Sequence, residues 1–333
     1  MNSHQKQISK GAESSSWVGL QVEDCAIQSA LGEGAFSWVY LGSTEDGSKA
    51  VFKVAKPAGS VGKFSSDITQ YFPTRALVQM TGSYGDARID ASDLLIKQAE
   101  RLKSSPHKNL LQLENVINKG ALCYYRCEYL EGKTLRHLIQ AGEATPATLL
   151  NLARAMEDIA RESNFGAHGD LKPDNIMVNQ DGIKLIDPGY FGEVLDLDGG
   201  RGNALVTTPA YYPNLIADDI FAFGVIAWEI YVGQHPLTDD FSTAQRAADD
   251  MIAPELLTMV RAKEFTGNYF VSKLLQLRNP SEINSKISPT LGHLLLKLLR
   301  LKINEKNRLA LDDGFESFAG VVLALSTIES GFY

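Results

Sequence analysis

The first third of the chain reads as β-rich, with short apolar runs bounded by turn residues. Ala26–Leu31 runs into Gly32-Glu33-Gly34, and Ser37–Gly42 and Lys49–Ala55 flank the turn signal Glu45-Asp46-Gly47, a pattern that predicts consecutive hairpins. Pro57 to Asp86 is irregular and rich in Gly, Ser and Pro, so it reads as an insertion spanning about 57–88. Asp90–Lys103 has helical spacing, with Asp90 as N-cap and Leu95, Ala99 and Leu102 on one face. Ala121–Leu130 returns to strand, and Glu131-Gly132 breaks it.

Past that break the period is helical. Thr145-Pro146 starts a helix with Pro at its first position, and Leu149, Leu150, Ala153, Met156, Ile159 and Ala160 form its apolar stripe. Asp219–Val232 is apolar nearly all round, the mark of a helix inside a core; Gly233 and Pro236 end it. Two more helices are expected around Leu291–Leu301 and Phe315–Ile328. The pattern predicts an α+β protein: a tail over 1–16, a small β-rich lobe over 17–130 carrying the insertion, and a larger helical lobe over 131–333.

With 333 residues, 44% of them hydrophobic, the chain has ample material for a core. Its formal charge of −8 argues against a sequence-independent nucleic-acid binder. No run reaches the roughly 18 apolar residues of a membrane span, and Met1–Ser16 is polar without a signal-peptide core, so it reads as a disordered tail. Cys25, Cys123 and Cys127 make no disulfide framework; the last two, four apart on a strand, would lie about 13 Å apart, too far to bond. A reducing, cytoplasmic setting is expected.

The densest chemistry is His168-Gly169-Asp170-Leu171-Lys172-Pro173-Asp174-Asn175, followed by Asp187-Pro188-Gly189. This spacing of carboxylate, ammonium, amide and second carboxylate suits phosphoryl transfer from magnesium-ATP to a hydroxyl, a reaction in which the protein chiefly positions reactants and neutralises charge. Asp170 would take the hydroxyl proton, Lys172 would sit beside the migrating phosphate, and Asn175 and Asp187 would hold the metal.

Further segments join these. They are Gly32-Glu33-Gly34-Ala35-Phe36-Ser37-Trp38-Val39, Ala50-Val51-Phe52-Lys53, Thr207-Thr208-Pro209-Ala210-Tyr211, Asp219-Ile220-Phe221-Ala222-Phe223-Gly224, Trp228-Glu229-Ile230 to His235-Pro236-Leu237, and Asn307-Arg308. Together they resemble a eukaryotic-type (Hanks-type) Ser/Thr protein kinase over about residues 20 to 320. The resemblance implies a bilobal kinase-like fold, ATP and Mg2+ as cofactors, and Ser or Thr hydroxyls of proteins as substrates. It places Gly32, Glu33, Gly34, Ala35, Phe36 and Ser37 over the phosphates and Lys53 against them. It makes Cys127 the gatekeeper and Glu128-Tyr129-Leu130 the adenine-binding hinge, with Glu128 and Leu130 lining the nucleotide and Val39, Ala50 and Met177 sandwiching the base. Asp219 would tie the catalytic loop to the central helix, and Thr207 and Thr208 are candidate autophosphorylation sites.

Several positions depart from the family pattern. The partner of Lys53 falls on Gln98 by count and flanking residues, and on Glu100 by chemistry, since a carboxylate orients an ammonium; the chemistry favours Glu100. Pro188 replaces the Phe of D-F-G, and Pro213-Asn214 stands where A-P-E would end, so the Glu paired with Arg308 is missing. His-Gly-Asp is also the spelling of aminoglycoside- and choline-kinase-like enzymes, which makes small-molecule phosphorylation the alternative; the mixture fits a bacterial origin. A third reading is a pseudokinase that binds nucleotide without turnover. Gly169 stands where the family has Arg, removing the cation that clamps a phosphorylated activation segment. Phosphatase-treated protein should therefore keep its turnover; loss of activity on removing phosphate between Asp187 and Pro213 would contradict this.

Overall fold

Two units divide the chain: Met1–Glu131 with Tyr190–Val206, and Gly132–Gly189 with Thr207–Tyr333. The computed structural model describes residues 17–34, 36–56, 91–119, 122–195, 201–208, 211–212, 218–236, 275–306 and 308–329. The expected tail over 1–16, the insertion over about 57–88, Ala35, Pro213-Asn214 and Asn307 lie outside these residues.

In the first unit, β1 (Gln21–Val22), β2 (Cys25–Glu33), β3 (Ser37–Ser43), β4 (Lys49–Ala55), β5 (Leu113–Lys119) and β6 (Leu122–Glu128) form an antiparallel sheet in the order β1-β2-β3-β4-β6-β5. Pleating sends alternate side chains to opposite faces. Trp38 and Tyr40 of β3 and Ala50, Phe52 and Val54 of β4 enter one core with Trp17, Cys25, Ile27 and Tyr124. Trp17 stacks on Tyr40 at 5.8 Å between ring centres and meets Tyr124 edge-on at 5.6 Å. The other face of the same strands carries Val39, Val51 and Lys53, with Val39 and Lys53 directly paired. Helix α1 (Ala91–Ser104) packs against β4, β5 and β6 and buries Leu94, Leu95, Gln98, Ala99 and Leu102.

The hairpin of Tyr190–Leu195 and Arg201–Val206, paired from Tyr190↔Val206 to Leu195↔Arg201, also belongs to this unit. It packs against α1, where Lys97 Nζ lies 5.5 Å from the Tyr190 ring centre. Sequence pattern had placed these residues in the helical lobe.

The second unit contains a small sheet of Lys133–Thr134, Ile176–Asn179 and Gly182–Leu185. Its helices are α2 (Leu135–Ala141), α3 (Pro146–Glu162), α4 (Asp219–Val232), α5 (Pro280–Ile283), α6 (Pro289–Leu298) and α7 (Phe318–Glu329). Helix α3 opens on a reciprocal capping box in which Thr145 and Thr148 each bond the other's backbone N–H. Helix α4 is buried on nearly every side. Gly224 lets it approach α6 closely: a Cβ there would come within 2.9 Å of the Leu298 backbone.

Helix α6 stops short of the expected Leu301. Arg300 adopts a left-handed φ of 57°, and Leu301–Ile303 then pairs with Leu309–Leu311 as a hairpin. That turn aims the Arg300 guanidinium at Asp218, with Nε and Nη2 at 2.7 and 2.6 Å from Oδ2. Asp218 in turn caps α4 by accepting the Phe221 N–H at 3.1 Å. Arg308, the family's late Arg by sequence, is exposed. Arg300→Ala should lower stability by about 1 kcal/mol, a fall of roughly 2–4 °C in Tm, and Arg308→Ala should leave the melt unchanged; equal effects would place the anchor elsewhere.

Candidate active site

A buried carboxylate organises the loop in the second unit. Asp219, 7% exposed at the start of α4, accepts the backbone N–H of His168 at 2.5 Å and of Gly169 at 2.9 Å, and the Tyr212 hydroxyl at 2.6 Å. The Tyr212 oxygen accepts the Leu171 N–H at 2.7 Å. Burial, reinforced by the adjacent Asp219 charge, pushes the Tyr212 hydroxyl well above the ordinary phenol range, so it stays a donor. Gly169 has φ 80°, a left-handed conformation that disfavours a side chain. The Arg expected there from the family is thus replaced by the residue this turn needs.

The loop presents its polar side chains together. Lys172 Nζ and Asn175 Nδ2 both donate to Asp170 Oδ2 at 2.9 Å. Asn175 Nδ2 also reaches the carbonyl oxygens of Asp170 at 2.9 Å and Asp187 at 3.2 Å. Lys172 donates further to Thr208 Oγ1 at 2.7 Å. The second carboxylate oxygen, Asp170 Oδ1, is buried and accepts no hydrogen bond among the described residues. A buried acceptor of this kind suits an incoming hydroxyl donor.

Asn175 commits its amide nitrogen to the loop, which leaves Oδ1 as its oxygen donor. Asp187, at φ 52°, holds a carboxylate in the left-handed region that Asp tolerates better than most residues. Among the described residues no three His, Cys, Asp or Glu side chains gather as a metal cage. Two oxygen donors without a cage fit magnesium, which keeps waters and takes phosphate oxygens for the rest of its shell.

Next to the loop lies a cluster that sequence reading missed. Arg136 on α2 donates to Glu229 Oε2 at 2.9 Å and approaches Asp174 Oδ2 at 3.5 Å; it also bonds the Tyr211 hydroxyl. Tyr211 donates to Glu229 Oε1 at 2.7 Å. Burial raises the Glu229 carboxyl above its usual range, against the pull of Arg136. The available signal was Glu229 itself, an acid inside a helix otherwise apolar all round.

In the first unit, Lys53 is 5% exposed and its Nζ donates to Gln98 Oε1 at 3.3 Å. Glu100, the expected partner, is exposed on α1: helical geometry puts position 98 on the buried face with Leu94, Leu95 and Leu102. The Phe36 ring lies 5.5 Å from Lys53 Nζ. Ala50 is a second correction. Strand alternation buries it in the aromatic core, on the opposite face from Lys53, and Val51 lies on the Lys53 face instead. Val39 shares the Lys53 face. Gly34 N donates to Ser37 O at 2.8 Å, closing the glycine-rich turn, and Ser37 is buried. A Cβ on Gly32 would meet nothing within 4 Å, so the backbone there is open to approach by a phosphate. Glu128 exchanges bonds with Gln112, its N–H to Gln112 O at 3.1 Å and its Oε1 from Gln112 N at 2.8 Å. Leu130 and Met177 are half-buried, Cys127 is buried, and Ala35 lies outside the described residues. Thr207 and Thr208 are buried with their hydroxyls engaged, Thr207 donating to Gly169 O at 2.7 Å. As folded, neither presents a free hydroxyl for modification.

A family model described as "Protein kinase domain" matches residues 86–317; the glycine-rich turn and Lys53 precede that match. The chain is 28% identical over 155 residues to Serine/threonine-protein kinase pakA of Talaromyces marneffei, covering 43% of this chain and 24% of that one. It is 28% identical over 224 residues to Sperm motility kinase 2B of Mus musculus, covering 61% and 42%, and 25% identical over 195 residues to Serine/threonine-protein kinase VIK of Arabidopsis thaliana, covering 52% and 44%. The chain therefore spans less than half the length of these curated relatives. Among solved structures it resembles "PpkA-294 apo form", with a TM-score of 0.53 at 18% identity over 92% of this chain and 98% of that one. That likeness speaks to the fold.

Gln98→Leu should destabilise the first unit by about 1–2 kcal/mol in urea unfolding, because it removes a buried acceptor from Lys53. Glu100→Ala should change stability by no more than about 0.5 kcal/mol. The reverse order would restore Glu100 as the partner.

Proposed function

Because the chain belongs to the protein kinase domain family, we propose that it transfers the γ-phosphoryl group of magnesium-ATP to Ser or Thr hydroxyls of proteins. The observation that carries this reading is Asp170: one carboxylate oxygen is held by Lys172 and Asn175 and the other is left as a buried acceptor. Asp170 Oδ1 orients the substrate hydroxyl and takes its proton as the oxygen bonds phosphorus and the bond to the ADP oxygen breaks. A carboxylate is basic enough because the transition state is loose and proton transfer can be late. Lys172 stabilises charge on the migrating group from a position already fixed by Asp170 and Thr208.

Asn175 Oδ1 and the Asp187 carboxylate would hold magnesium, and Lys53 would bind the α- and β-phosphates below the glycine-rich turn. Magnesium, when bound, neutralises charge on the phosphate oxygens. Glu128 and Leu130 would meet adenine through backbone groups, with Val39, Val51 and Met177 against the ring. Cys25, Cys123 and Cys127 as buried thiols suit the reducing, cytoplasmic setting of this reading. None of the described helices is long and apolar enough to cross a membrane. Autophosphorylation, if part of the activity, must use hydroxyls other than Thr207 and Thr208.

One observation bears on the rival reading of a nucleotide-binding module without turnover: among the described residues, Gln98 accepts from Lys53 while Glu100, the carboxylate expected there, is exposed. Incubation with labelled ATP, magnesium and a generic basic protein separates the possibilities. Label on Ser or Thr supports the proposal, nucleotide binding without transfer supports the rival, and label only in an aminoglycoside or choline points to small-molecule phosphorylation. In the transferring enzyme, Asp170→Asn should lower kcat by about 10²–10⁴-fold with ATP affinity nearly intact; a wild-type rate in that variant would remove Asp170 from the chemistry.

A further inference from the structure

We propose that Lys56 is a positioning residue that holds the glycine-rich turn in its nucleotide-binding form, an inference resting on the nucleotide site described above. Lys56 follows the last residue of β4, and its backbone N–H donates to Phe36 O at 2.9 Å. Its side chain then runs back across β3, where Nζ lies 5.9 Å from the Trp38 ring centre, and donates to Glu33 Oε1 at 2.6 Å. One residue thereby grips both arms of the turn, Glu33 at the end of β2 and Phe36 before β3.

The burial is lopsided. The Lys56 side chain is 10% exposed, low for a lysine, whereas Glu33 is 53% exposed. The Lys56 side chain is largely covered with its ammonium near the Trp38 indole, so of the two partners Glu33 has more freedom to leave. The consequence reaches Lys53 through Phe36. With its carbonyl pinned by Lys56, Phe36 is buried with its ring 5.5 Å from Lys53 Nζ.

A two-stranded tip held by one short turn bond, Gly34 N to Ser37 O at 2.8 Å, frays readily, because turn residues regain their conformational entropy on opening. The Lys56 tether suppresses that fraying. When a binding-competent conformer is only partly populated, apparent affinity falls by the populated fraction, so loss of the tether acts on nucleotide affinity before it acts on the chemical step.

The test combines two readouts. In the nucleotide-free protein, Lys56→Met should speed hydrogen exchange at the Gly34 and Ser37 amides and leave the centres of β3 and β4 unchanged. In the active enzyme, the same variant should raise KM for ATP roughly three- to fivefold with a much smaller change in kcat, as expected for an ion pair of this exposure. Glu33→Gln should raise KM similarly, Lys56→Arg should restore it, and the swapped pair Lys56→Glu with Glu33→Lys should recover part of the loss. If Glu33→Gln lowers KM, Lys56 acts directly on the nucleotide and the tether is wrong. Unchanged exchange in Lys56→Met overturns it as well. Should the wild-type protein bind no ATP while exchange still responds to Lys56→Met, the nucleotide reading fails and the tether stands as structure alone.

Discussion

The carboxylate of Asp219 must be satisfied inside the second unit, and the His168–Asn175 loop is built around the donors that satisfy it. A charge at 7% exposure is costly unless hydrogen-bonded, and the chain answers with two consecutive backbone N–H groups and a tyrosine hydroxyl. Consecutive amides can converge on one carboxylate only in a tight turn, which Gly169 permits with its positive φ. The same turn places Asp170 where Lys172 and Asn175 both reach one of its oxygens. The most buried helix of the unit, α4, thus sets the conformation of the loop that carries Asp170.

Among the described residues, two ion pairs anchor this helix at its two ends. Arg300 clasps Asp218 beside Asp219, and Arg136 reaches Glu229 one helix length further on. Their energetics are unequal. The Arg300 pair is partly exposed and chiefly secures a helix cap. The Arg136–Glu229 pair is buried, and burial raises the Glu229 carboxyl; such a pair contributes little net stability when intact, but losing one partner strands the other charge. Its weight lies in specifying how α2, α4 and Tyr211 fit together.

Gly169 also bears on how the segment after Asp187 is ordered. Without an Arg at that position, a phosphate on this segment would lack the usual clamp. Backbone pairing from Tyr190↔Val206 to Leu195↔Arg201, with Thr207 bonded back to Gly169 at the segment's end, provides order of another kind.

Local rules carried much of this protein's description. The strand period, the Thr145-Pro146 start, the all-apolar α4 and the Asp170–Asn175 spacing are properties of neighbouring residues, and they suffice for the α+β architecture and for the loop that bears the chemistry. The two-residue period also contained the answer for Val51: a residue two from Lys53 shares its face and one three away cannot, so Ala50 belonged to the aromatic core. What required the folded chain were contacts between distant segments. Whether Gln98 or Glu100 met Lys53 depended on how α1 is rotated against β4. The pairing of Arg300 with Asp218 depended on a left-handed residue ending α6. The grip of Lys56 on Glu33 depended on which side chains cross a sheet. Period and motif record the conformation of adjacent residues; the rotation of a helix on a sheet and the pairing of remote charges are set by packing, which no local stretch encodes.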